Sequence, residues 1–196
     1  MALYRNPKAW LFLLCLYPLL RLAALAWTGG LGANPIEFIT RSLGTWTLTG
    51  LLITLTVTPA RRLSGYGGLL RYRRMLGLFA FCYGMLHLLS YLWLDQFFDW
   101  PAIVKDILKR PFITFGMAAF LLLVPLALTS SRAAMRRLGR NWQRVHWLIY
   151  PAAVGAVLHY GWLVKKDLTQ PLIYAGILAL LLAMRIFWRY KKTKAG

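Results

Sequence analysis

The chain predicts an all-α integral membrane protein, a bundle of six membrane-crossing helices, and three observations carry that prediction. Apolar residues make up 59% of its 196 residues and mean hydropathy is +0.54, well above an ordinary soluble domain. The apolar residues gather into six runs, 9–28, 43–60, 75–94, 112–129, 145–164 and 171–189. Each run is near the ~20 residues that cross ~30 Å of hydrocarbon as a helix. The basic residues then alternate between loops in a pattern that an even number of crossings explains.

Helix is the only open-chain choice in lipid, because hydrocarbon offers no partner to bare backbone groups. The first run follows Arg5 and Lys8 and carries Ala23, Ala24 and Ala26, as a cleaved leader would. Its full-span length and the interruption by Arg21 read instead as a retained helix. The second and third runs flank a loop, 61–74, holding Arg61, Arg62, Arg71, Arg73 and Arg74. Between the third and fourth runs, Asp99-Trp100-Pro101 marks a helix start. Ile103 and Ile107 share one face there, so 95–110 reads as a short interfacial helix, either a plain connector or a docking surface for an outer partner. Loop 130–144 holds Arg132, Arg136, Arg137, Arg140 and Arg144, and the fifth run contains Pro151, which should disturb its helix locally. The sixth run ends in Arg189, Lys191, Lys192 and Lys194.

With six crossings, 16 basic residues fall on one side and 6 on the other, namely Arg41, Lys105, Lys109, Arg110, Lys165 and Lys166. All five acids, Glu37, Asp95, Asp99, Asp106 and Asp167, share the second side. This split places both termini in the cytoplasm. The same distribution explains the formal charge of +19 without nucleic acid, since no basic face is separable from a span. Cys15 and Cys82 form neither CxxC nor CxxCH, so nothing supports a disulfide framework or covalent haem attachment. No part of the chain houses a nucleotide-binding domain, so nicotinamide chemistry would belong to a partner. No internal repeat is legible. The whole of 1–196 reads as a single transmembrane domain.

The chemistry rests on three histidines. Histidine is the usual nitrogen ligand of haem iron and is costly in hydrocarbon unless paired or coordinated. His87 lies twelve residues into the third run, ~18 Å from its inner start, and His159 lies a similar ~20 Å into the fifth. Matched depth on two helices suits one b-type haem held between two imidazoles. Gly84 beside His87, and Ala152, Gly155 and Ala156 before His159, form a small-residue stripe that leaves room for a macrocycle or serves helix packing. A zinc site would need a third close ligand, and no acid lies in any span. His146 sits at the inner edge. It is a candidate ligand to a second haem iron whose other ligand differs or is absent, because the facing position on the third run is Arg73. Contact with a flavin, a quinone or a propionate is the other reading of His146. Arg21 is a candidate for a haem propionate, and Arg185 is expected to snorkel to the inner surface.

Five stretches carry a resemblance. They are GGLGANPIE at 29–37, RRMLGLFAFCYGMLHLLSY at 73–91, KRPFITFGM at 109–117, LGRNWQRVHWLIYPAAVGAVLHYGW at 138–162 and QPLIYAGILALLLAMR at 170–185. In these the chain resembles the MsrQ family, within the wider ferric-reductase-like transmembrane group, over nearly its whole length. The resemblance implies a haem b electron-transfer subunit of a bacterial inner membrane. Electrons would enter from the quinone pool or a cytosolic flavin reductase, with FMN as a further implied cofactor. They would leave to a periplasmic molybdopterin subunit, MsrP-like and bound as a heterodimer, which reduces methionine sulfoxide in oxidised proteins. It also implies haem-ligand roles for His87 and His159 and matches His146 to the family's third histidine. The wider group often has two histidines on each of the two helices; Arg73 departs from that. Two other readings stay open: a transmembrane ferric reductase in its own right, and a cofactor-free transporter or scaffold.

Overall fold

The computed structural model describes residues 7–164 and 166–194; Arg5 and Lys165 of the charge count lie outside them. Among the described residues nine α-helices follow in order. They are α1 (Pro7–Trp27), α2 (Pro35–Ser64), α3 (Leu70–Leu89), α4 (Trp100–Lys109), α5 (Pro111–Leu128), α6 (Arg132–Leu138), α7 (Arg140–His146), α8 (Ile149–Leu163) and α9 (Thr169–Lys194). No strand occurs among the described residues.

Among the described residues five stretches are long and apolar enough to cross a membrane: Pro7–Trp27, Pro35–Ser64, Gly67–Asp95, Pro111–Leu128 and Thr169–Lys191. The second is longer than the expected 43–60. Asn34 caps it by accepting the Glu37 N–H at 3.2 Å, Pro35 sits in its first turn, and Gly65 ends it at φ +71°. Thr40 and Arg41, expected in a loop, are therefore helical. The third continues past α3 through a π-helical turn, Ser90–Asp95. The short α4 begins where expected, with Asp99 accepting the Ala102 N–H at 3.1 Å and Ile103 buried.

Within the expected fifth span, 145–164, the helix is not continuous. Pro151 has no N–H for the Trp147 carbonyl, which takes the Tyr150 N–H at 3.1 Å instead. The helix breaks at Trp147-Leu148, His146 belongs to α7, and α8 keeps 15 residues, ~22 Å long. The arginine-rich loop 130–144 is likewise mostly helical, as α6 and α7 joined at Gly139. At the start of α9, Asp167 accepts the Thr169 N–H at 2.9 Å, and hydrogen bonding from the Thr169 side chain first, with this N–H second, holds its carboxyl below the ordinary carboxylate range.

Two helix pairs form the frame, α2 with α3 and α5 with α8. Small residues let each pair close up. A Cβ on Gly50 would stand 3.0 Å from the Ala80 Cβ, and one on Gly155 would stand 3.2 Å from the Ala119 Cβ. Leu51 and Leu55 of α2, Ala80 of α3, Leu123 of α5, Ala152 and Ala153 of α8, and Leu178 and Leu181 of α9 share one buried core. The outlying α1 buries only Pro18 and Leu22.

Candidate functional site

The two helix pairs enclose a cavity of about 570 Å³, within the ~300–1,000 Å³ usual for a small-molecule or cofactor site. His87 from α3 and His159 from α8 both line it. Their ring centres are 6.0 Å apart, with planes inclined at 72°. A metal held between two imidazole nitrogens at ~2 Å each, with ~1.1 Å more to each ring centre, separates the rings by about 6 Å.

Each ring is fixed from behind by backbone. His87 Nδ1 lies 2.9 Å from the Thr40 carbonyl and His159 Nδ1 lies 2.6 Å from the Phe112 carbonyl. A carbonyl only accepts, so both rings carry their proton on Nδ1 and keep Nε2 as a lone-pair donor. That is the usual arrangement of a metal-ligating histidine. On the His87 side the support closes into a loop: Thr40 Oγ1 donates to Ser90 Oγ at 2.9 Å, and Ser90 Oγ donates to the His87 carbonyl at 2.8 Å. Ser90 opens the π-helical turn, a local irregularity frequent at functional sites.

Glycine makes the rings fit. A Cβ on Gly44 would meet His87 Cε1 at 3.0 Å, and one on Gly116 would meet His159 Nδ1 at 2.7 Å. Both glycines lie one turn beyond the carbonyl that holds the ring. The carbonyl and its histidine are 47 positions apart in both halves. The two helix pairs therefore present the same carbonyl, glycine and imidazole in the same order, a repeat of structure where the sequence shows none.

The cavity has an apolar end, at Leu51 and Leu123, and a polar end, with Asn34, Glu37, Arg41, Asp95 and Arg110. Arg41 Nη2 pairs with Glu37 at 2.6 Å, and Arg110 Nε pairs with Asp106 at 3.3 Å. Arg21 is exposed on α1 and does not line the cavity, so the propionate expectation attached to it is corrected. The small-residue stripe also divides. Gly84 and Ala156 line the cavity, whereas Ala152 is core and Gly155 packs on α5.

His146 stands apart, in α7. Its ring stacks on Trp142 with centres 3.9 Å apart, and its Nδ1 lies 3.1 Å from the Trp142 carbonyl. Trp142 Nε1 in turn donates to the Thr129 carbonyl at 2.9 Å. Arg73 acts on the His146 ring electrostatically. Arg185 does not snorkel; it turns inward to the Leu55 carbonyl. Sequence reasoning missed Thr40, Gly44, Ser90, Arg110, Phe112 and Gly116 as parts of the site. The glycines were the available signal, since glycine inside a span needs a packing reason.

Residues 43–157 match the family described as ferric reductase like transmembrane component. The chain is 58% identical over 186 residues to the protein-methionine-sulfoxide reductase heme-binding subunit MsrQ of Azospira oryzae, covering 94% of this chain and 80% of that one. It is 58% identical to the protein of that name from Rhodospirillum rubrum, over 94% of this chain and 89% of the relative. With the Ralstonia nicotianae protein, also so named, identity is 51% over 98% and 90%. No solved structure matches the chain.

Proposed function

The chain belongs to the ferric-reductase-like transmembrane family and, within it, to the MsrQ haem-binding subunits, and on that premise we propose that it carries electrons through the membrane on haem b for a protein-methionine-sulfoxide reductase. The observation that carries the reading is the pair of imidazoles on one cavity, 6.0 Å apart, with both Nδ1 atoms held by backbone carbonyls. His87 and His159 would hold the haem iron. Haem, when bound, supplies a one-electron iron couple in a pocket whose polarity tunes it. The residues around it bind, orient and insulate. Thr40 and Phe112 fix the tautomers, Gly44 and Gly116 admit the rings, and the core leucines close the apolar end. Arg41 and Arg110 are the cations at the polar end, suited to propionates.

The finer reading keeps the topology expected from charge: six crossings in one domain over 1–196, the fifth made by α8 together with the broken segment before it, and both termini cytoplasmic. In that topology the polar end of the cavity faces the periplasm. An MsrP-like molybdopterin subunit, paired as a heterodimer, receives electrons there. Electrons arrive at the inner side from quinone or a cytosolic flavin reductase, with FMN as a second cofactor. His146, on that inner side beside Arg73, is the proposed contact for a second haem or for the donor. The membrane is a bacterial inner membrane.

A pyridine-haemochrome assay with flavin extraction on detergent-purified protein tests this. The expected result is haem b with a low-spin bis-imidazole spectrum that His87→Ala and His159→Ala each abolish and that largely survives in His146→Ala. A folded protein that purifies without haem refutes the proposal. Ferric reduction by membranes lacking any periplasmic partner would favour the ferric-reductase alternative.

A further inference from the structure

Pro59 interrupts the hydrogen-bond ladder of α2, because it has no N–H to offer the carbonyl four residues back, that of Leu55. Arg185 crosses from α9 to that carbonyl, and its Nη2 donates at 2.5 Å. One guanidinium nitrogen is thus accounted for. Nη1 has no acceptor within hydrogen-bond distance among the described residues and is shut off from solvent, while the Tyr150 side chain interacts with the guanidinium as a whole. The Tyr150 ring of α8 stands 5.5 Å from the guanidinium carbon. Arg62, near the end of α2, and Arg73, near the start of α3, act on the same group electrostatically.

Among the described residues no side-chain carboxylate balances these charges. The five acids belong to the other ends of the helices: Glu37 opens α2 where Arg62 closes it, and Asp95 closes the third span where Arg73 opens it. Asp99 caps α4 and Asp106 lies within it, and Asp167 precedes α9, whose far part holds Arg185. A guanidinium keeps its charge when taken out of water, so it calls for an anion. Its planar fork matches phosphate well. The helix ends and the aromatic rings of Tyr150, Trp147 and Trp188 put the cluster at headgroup level. The N-termini of α3 and α8 open at the same end and add positive potential.

We propose that Arg185, with Arg62 and Arg73, binds the phosphate group of a molecule at the membrane surface, at a site separate from the His87–His159 cavity. A phosphate oxygen gives Nη1 the acceptor that the protein does not supply, and the two neighbouring guanidiniums balance the remaining charge. An acidic phospholipid and a soluble phosphomonoester such as flavin mononucleotide carry this same group.

Thermal unfolding of the full chain in lipid nanodiscs tests the site and separates the sources. In one arm phosphatidylglycerol replaces phosphatidylcholine at constant acyl chains. In the other, flavin mononucleotide is compared with riboflavin, which lacks only the phosphate, in phosphatidylcholine discs. The expected result is a rise of roughly 5 °C in one arm. That rise is lost in Arg62→Gln and Arg73→Gln, both of which leave the Arg185–Leu55 bond intact, and in Arg185→Gln. Arg136→Gln, which removes an exposed charge from α6, keeps it. A rise confined to the phosphatidylglycerol arm assigns the site to lipid, and one confined to the flavin arm assigns it to the soluble phosphate. No rise in either arm, or a full rise in Arg62→Gln and Arg73→Gln, overturns the proposal.

Discussion

Replacing Gly116 by alanine puts a methyl group where the His159 ring now stands. The added Cβ falls 2.7 Å from Nδ1 and 2.9 Å from Cε1. That is roughly 0.8 Å inside the ~3.5 Å of an ordinary heavy-atom contact. The ring must move, and the bond it makes with the Phe112 carbonyl is only 2.6 Å long, so the same movement lengthens it. Groups that orient a metal-bound histidine are worth ~10–100-fold in affinity. Gly116→Ala should therefore weaken haem binding by about that factor and raise the share of high-spin haem, as one axial ligand lets go. The assay is titration of haem into haem-depleted protein in detergent, followed by absorbance. Two further glycines separate this from general damage. Gly155→Ala crowds the α5–α8 contact at Ala119 without touching a histidine, and Gly176→Ala meets nothing within 4 Å. Wild-type affinity and spectrum in Gly116→Ala would refute the reasoning. So would an equal loss in Gly155→Ala, because the effect would then follow helix packing and not the ring.

Further consequences can be checked separately. Ser90→Ala leaves the Thr40 hydroxyl without its partner in a buried place, and about 1 kcal/mol of stability should be lost in chemical denaturation, with a broadened low-spin absorbance as His87 loosens. Arg185→Gln should cost about 1–3 kcal/mol in the same assay by orphaning the Leu55 carbonyl. In a Pro59→Ala background the helix regains its own donor, so the cost should fall; an unchanged cost in this double-mutant cycle would deny the link. Asp99→Ala removes the cap of α4 and should cost about 1 kcal/mol locally, seen as faster amide exchange at Ala102.

Hydropathy made the helical segments legible from the sequence, because it acts on whole segments. A run of twenty apolar residues must become a helix in lipid wherever it packs. The same segment-level logic found His87 and His159 at equal depth, since helical rise fixes depth without reference to neighbours. It also anticipated a disturbance at Pro151, although how far the break displaced His146 depended on which carbonyl lost its donor.

Only packing decided the remainder. The stripe before His159 split between core and cavity because rotation about the helix axis is set by the partner helix, which sequence spacing does not name. Arg185 turned inward because a proline on another helix left a carbonyl in need. Thr40, Gly44, Phe112 and Gly116 became the supports of two imidazoles through contacts made across 43 to 47 positions of chain. The amino-acid pattern thus determined which segments are long apolar helices and how far along them the histidines stand. The tertiary fold alone turned the two rings toward each other, since facing depends on how helices meet and not on the residues of either one.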